Sequence, residues 1–61
     1  MKARELVKLI EAAGWIFEKQ EGSHMIFWHP NFRRPLPVPN HGSKDLGKGL
    51  VHKILKQAGL R

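Results

Sequence analysis

The stretch WIFEKQEGSHMIFWHP, residues 15–30, decides the fold of this chain. Aromatic and β-branched residues open it. A short polar cluster, Glu21-Gly22-Ser23, interrupts it, and a second apolar run follows as far as Pro30. Two strand-like runs about a glycine-containing turn predict a β-hairpin, with strands at 15–20 and 24–29. Gly22 supplies the positive φ of a tight turn, and Pro30 ends the second strand because it has no N–H for the ladder.

Register then sorts the side chains, because successive residues of a strand face opposite ways. His24, Ile26 and Trp28 share one face, and Met25, Phe27 and His29 share the other. A three-residue turn, 21–23, pairs Phe17 with Phe27 and gathers Trp15, Phe17, Met25 and Phe27 into one apolar face. His24, Ile26 and Trp28 are then left on the open face beside Ile16, Glu18 and Gln20. A two-residue turn slips the register and groups Trp15, Phe17, Ile26 and Trp28 instead. The first arrangement separates polar from apolar residues better and is preferred.

Outward from the hairpin, the chain reads as helices at both ends. Leu6, Leu9, Ile10 and Ala13 recur at helical spacing over residues 2–13, with Val7 widening the stripe and Gly14 as the stop. After the mostly polar loop 30–34, the stretch PLPVP at 35–39 has proline at alternate positions, which confines it to an edge strand. The last helix is expected to start near Ser43 as N-cap, with Asp45 in its first turn, and to bury Leu46, Leu50, Val51, Ile54, Leu55 and Ala58. The expected architecture is α+β: a two-layer α-β-β-β-α sandwich, both helices on one face of the sheet.

With 61 residues, the chain is expected to form one domain, 1–61. A domain of that size buries only about 60% of the surface its unfolded chain exposes. There is no cysteine to staple it. Such a core leaves no room for a deep enclosed pocket, so no cofactor is expected. Arg4, Glu5, Lys8 and Glu11 interrupt any apolar run near the N-terminus, which argues against a signal peptide or a membrane span and makes the cytoplasm the expected location. Eleven Lys and Arg against five acidic residues give a formal net charge of +6. That imbalance favours a polyanionic partner, nucleic acid ahead of a membrane surface.

His24 is the residue with the most chemistry to offer. At a hairpin end on the open face, an imidazole can give or take a proton near neutral pH. RNA carries its own nucleophile, the ribose 2′-hydroxyl, so a protein need only remove that proton, orient the phosphate and neutralise developing charge. A lone histidine on a turn is by itself more often a plain surface residue. His29 has core-facing parity and reads as a hydrogen-bonded packing residue. His41 lies in a loop where phosphate contact or backbone satisfaction is open to it, and His52 sits among lysines. No pair has metal-ligand spacing, and no metal site is expected.

Lys44, Lys48, His52 and Lys56 fall at successive i,i+4 positions and give the last helix a basic ridge, with Lys53 beside it. Lys44 and Lys48 sit at the expected N-terminal end of that helix, where free N–H groups favour phosphate. Arg33 and Arg34 offer the same contact from their loop, with solvated turn charges as the plain alternative. Trp28 is placed to stack a base or simply to pack on Ile26.

GW at 14–15, GSH at 22–24, HP at 29–30, VPNH at 38–41 and ILKQAGL at 54–60 recur in that order in a known family. The chain resembles the HicA toxins of HicAB toxin–antitoxin modules over essentially its whole length. The resemblance implies a double-stranded-RNA-binding-domain-like fold and an endoribonuclease that cuts mRNA. It also implies neutralisation by a HicB antitoxin that covers the active site. The catalytic histidine of the family's GSH triplet maps onto His24, with Gly22 and Ser23 as the turn that presents it. Gly49-Leu50 stands where the family usually has Gly-Thr, so a hydroxyl is missing there.

The resulting expectation is a metal-independent ribonuclease with His24 as general acid or base. Ser23, Lys19, Trp28, Arg33, Arg34, His41, Lys44 and Lys48 are its candidate RNA contacts. Lys19, Arg33 and Lys48 are equally open as a second catalytic group. The alternative is an RNA-binding module of the same fold without catalysis.

Overall fold

The computed structural model describes all residues, Met1 to Arg61. The elements run α1 (Ala3–Ala12), β1 (Ile16–Glu21), β2 (His24–Trp28), β3 (Leu36–Pro39) and α2 (Lys48–Gln57). The three strands form one antiparallel sheet in the order β1-β2-β3. This is the expected α+β arrangement, and it is compatible with a double-stranded-RNA-binding-domain-like fold. Neither helix is long and apolar enough to cross a membrane.

At the start of α1 the Glu5 carboxylate accepts the Lys2 backbone N–H at 2.8 Å, which satisfies a donor that a helix start leaves free. Ala3, Leu6 and Ile10 are buried, and Val7 and Ala13 pack partly against the core. Leu9 is not part of that stripe; it is 43% exposed. Ala3, Leu6 and Ile10 already define the contact line, and Leu9 lies about 100° round the helix from Ile10.

The hairpin combines features of both registers considered above. Its turn has two residues, Gly22 and Ser23, with Glu21 opposite His24. Gly22 has a φ of 57° and Ser23 does not have positive φ, the pattern of a type II′ turn. The three-residue turn is therefore overturned. Phe17 nonetheless lies opposite Phe27, because the register shifts between Phe17 and Lys19. Glu18 is the extra residue of a β-bulge. The bulge also changes which side chains share the open face. Lys19 lies opposite Ile26 and Glu21 opposite His24, so Lys19 and Glu21 join Ile16 on His24's face, where Glu18 and Gln20 were expected.

Both helices make their main sheet contacts with β3. Leu36 and Val38 of β3 are buried together with Phe27, Trp15, Leu6, Ile10, Leu46, Ile54, Leu55 and Ala58. β1 lies beyond the helical cover, and all six of its residues are exposed. Phe17 consequently remains 48% exposed, its ring edge-on to Phe27 at 5.7 Å, and does not join the core as expected. Trp15, just before β1, is buried, and its indole N–H donates to the Ala58 carbonyl at 3.1 Å. That bond ties the start of the hairpin to the end of α2.

α2 begins four residues later than expected. Gly47 is its N-cap, with φ −64° and ψ 149°. Ser43 lies in a turn and caps nothing, and Asp45 is not in the helix. Residues 45–46 are extended instead: Asp45 bridges Lys2, and the Leu46 N–H donates to the Met1 carbonyl at 2.8 Å. Backbone held in that pairing cannot also be helical. Leu46 still reaches the core, from an extended segment that happens to keep its helical spacing from Leu50.

Candidate active site

His24 begins β2, directly after the Gly22-Ser23 turn, and is exposed. Across the sheet it faces Glu21 on one side and Pro39 on the other. The Ser23 carbonyl accepts the Asn40 N–H at 2.7 Å, so the turn is fastened to the end of β3. His29 and His52 have hydrogen-bond partners within the chain, whereas no intramolecular hydrogen bond occupies the ring of His24.

A cavity of about 220 Å³ opens beside that ring, lined by His24, Pro37, Pro39, Leu50, Lys53, Ile54 and Gln57. The sheet supplies one wall and α2 the other. α2 brings a cation, Lys53, and an amide, Gln57, into the cavity that holds the imidazole. Leu50, where the resemblance implies a threonine, lines the same cavity. Glu21 faces His24 from β1, and its carboxylate is ion-paired to Lys19 at 3.2 Å.

The other candidate contacts are spread more widely. Lys19 and Ser23 lie at the His24 end of the hairpin. Trp28 shares His24's face but stands at the other end of β2, opposite Ile16 and 43% exposed. Arg33 and Arg34 line a second cavity of about 240 Å³ with Trp15, Phe32, Pro35, Leu36, Pro37 and Gln57. Lys48, the first residue of α2, lines a third of about 550 Å³ with Met1, Val51, His52 and Arg61. Lys44 and His41 are exposed in the preceding loop, the Lys44 N–H bonded to the His41 carbonyl at 3.2 Å. Lys44 is therefore not on the helical ridge. The expected phosphate site at a helix start near residues 42–44 is also absent, because no helix starts there.

His29 has the packing role its parity suggested. The Asn31 N–H donates to its Nδ1 at 3.0 Å, which leaves the ring hydrogen on Nε2 to donate to the Ala13 carbonyl at 3.0 Å. Its ring also lies against Trp15 and Phe32. No three His, Asp or Glu side chains come together as a metal-binding group.

Sequence spacing missed Lys53 and Gln57 as neighbours of His24. They lie about thirty positions along the chain from it, and no periodicity links a hairpin turn to a helix face. Only the packing of α2 beside β3 does. The partial signal was that Lys53 falls off the Lys48–His52–Lys56 row, toward another side of the helix.

Comparison with known proteins places the chain among bacterial toxins. Residues 3–60 match the family model described as HicA toxin of bacterial toxin-antitoxin. A curated relative, "Probable mRNA interferase HicA" of Pseudomonas fluorescens (strain Pf0-1), is 36% identical over 61 residues, which is 100% of this chain and 98% of the relative. With residues 3–60 matched by the family model and the whole chain covered by a curated relative, the chain belongs to the HicA toxin family.

Proposed function

We propose that this HicA-family toxin is an endoribonuclease that cuts mRNA, with His24 as its catalytic histidine and no metal ion in the reaction. The observation that carries the proposal is the position of His24: a solvent-accessible imidazole with free ring nitrogens, in the wall of a cavity that also holds Lys53. RNA needs no activated water, because the attacking oxygen belongs to the substrate. His24 takes the proton of a ribose 2′-hydroxyl as that oxygen attacks the adjacent phosphorus. The bond from phosphorus to the 5′ oxygen breaks, and the leaving oxygen takes a proton from solvent. The products are a 2′,3′-cyclic phosphate and a 5′-hydroxyl end. The Lys53 ammonium stabilises the charge that grows on the phosphoryl oxygens. Ser23 and Lys19 hold RNA beside the histidine, while Arg33, Arg34, His41, Lys44, Lys48 and Trp28 extend the contact surface. A HicB-type antitoxin neutralises the toxin by covering His24, and the toxin acts in the cytoplasm, where mRNA is.

The deciding experiment compares wild-type protein with His24→Ala on a single-stranded RNA, in the presence of a chelator. Wild type is expected to cut and to leave cyclic-phosphate ends. His24→Ala is expected to lose at least a hundredfold in rate, the scale of general acid–base catalysis, while still binding RNA. Equal cleavage by the two proteins refutes the assignment. Binding by both without cleavage favours the non-catalytic module.

A further inference from the structure

The cavity beside Arg33 and Arg34 shares two of its lining residues, Pro37 and Gln57, with the cavity that holds His24. The two are thus contiguous between β3 and α2. We propose that the first is a nucleotide subsite. It takes one unpaired base of the RNA strand whose neighbouring phosphate lies at His24, so the substrate is single-stranded where it is cut. This rests on the ribonuclease reading and adds the substrate's conformation and a second contact point.

Phe32 is the platform. The residue is 39% exposed, yet its ring is held by Trp15 at 4.9 Å and His29 at 5.0 Å between ring centres, with its tip close to Gly59. A ring already fixed by packing loses little freedom when a base lies against it. Arg33 and Arg34 are exposed, and the only ion pairs in the chain are Met1–Asp45 and Lys19–Glu21, so both guanidinium groups are free for phosphate. Gln57, on the boundary between the cavities, offers one acceptor and two donors to the edge of a base. An aromatic platform, two unpaired arginines and an amide make a set suited to a nucleotide with its phosphate. An acidic peptide would use the arginines and leave the ring idle. A base stacked in an A-form duplex cannot enter, because its faces are covered and its edges are paired.

The test uses His24→Ala protein, which separates binding from cleavage, and a short labelled single-stranded RNA. A series of oligonucleotides carries one abasic nucleotide at each position in turn. One position, adjacent to the bond that wild type cuts, is expected to lose about tenfold in affinity when its base is removed, the scale of base–aromatic stacking. Adding Phe32→Leu or Gln57→Ala is expected to remove that difference. Should Phe32→Leu melt early, the exposed Gln57 carries the test alone. A duplex of the same sequence is expected to resist cutting. The subsite is refuted if no abasic position matters, if the loss persists in both variants, or if duplex is cut as fast as single strand; the cavity then belongs to a protein partner. Failure of the ribonuclease reading looks different: wild type does not cut, or His24→Ala still does, while the binding measurements remain interpretable.

Discussion

His24 and His29 lie in the same short segment and do opposite work. His29 has both ring nitrogens engaged by backbone groups and its ring packed with Trp15 and Phe32, so it acts as a bracket between the end of α1 and the loop after β2. His24 has water where His29 has partners. The bracket explains Gly14. Its φ is 101°, and a Cβ there would stand 2.8 Å from the His29 Nε2. Gly14→Ala therefore combines backbone strain with displacement of the ring that bonds Ala13. The expected cost is about 1–3 kcal/mol, a fall in melting temperature of roughly 5–20 °C for a domain this small. Thermal denaturation followed by circular dichroism measures it, and an unchanged melting temperature contradicts the bracket role.

Two elements depend on features that a pattern of apolar residues does not contain. The bulge at Glu18 lets the tight Gly22-Ser23 turn coexist with the Phe17–Phe27 pair. Deleting Glu18 removes the extra residue and keeps every pairing on either side of it. The shortened protein is expected to fold with a melting temperature within a few degrees of wild type. Deleting Phe17 instead sets Glu18 opposite Phe27 and loses the edge-on ring contact, and that protein is expected to melt below the Glu18 deletion. The reverse result excludes the bulge as placed here.

The start of α1 makes a prediction about pH. The hydrogen bond from the Lys2 backbone N–H, helped by nearby positive charge, holds the Glu5 carboxyl below its ordinary value of 4.5, against a smaller opposing effect of desolvation. A carboxyl lowered in the folded state stabilises that state when ionised. Its contribution is complete above the unfolded value and is lost as pH falls through the folded one. Glu5→Gln is thus expected to melt below wild type at neutral pH, with the gap closing on acidification beneath 4.5. The carboxylate is fully exposed, so the gap is small. A gap that widens in acid contradicts the assignment.

Charge belongs to the whole molecule. A net charge of +6 on 61 residues makes polyanion binding strongly dependent on salt. If Arg33 and Arg34 each meet a phosphate, replacing both with alanine reduces the slope of log affinity against log salt by about 0.7 per arginine. Gel-shift titration at several salt concentrations reads this directly. An unchanged slope removes both arginines from the interface.

Much of the fold is written in local patterns: the helix of Leu6 and Ile10, the turn at Gly22, the edge strand signalled by alternate prolines, and the opposite facing of His24 and His29. These follow from backbone geometry within a few residues, which composition and spacing report faithfully. Three things escaped that reach. β1 lies outside the helical cover because two short helices cover only part of the sheet, so Phe17 stays in water. α2 starts at Lys48 because residues 45–46 pair with the chain's beginning, a contact across more than forty positions. Lys53 and Gln57 face His24 because α2 packs beside β3. The chain alone determined the order of its elements and the exposure of its one unbracketed hairpin imidazole. Tertiary packing decided what surrounds that imidazole, since the periods of helix and strand carry no information about which distant segment a face will meet.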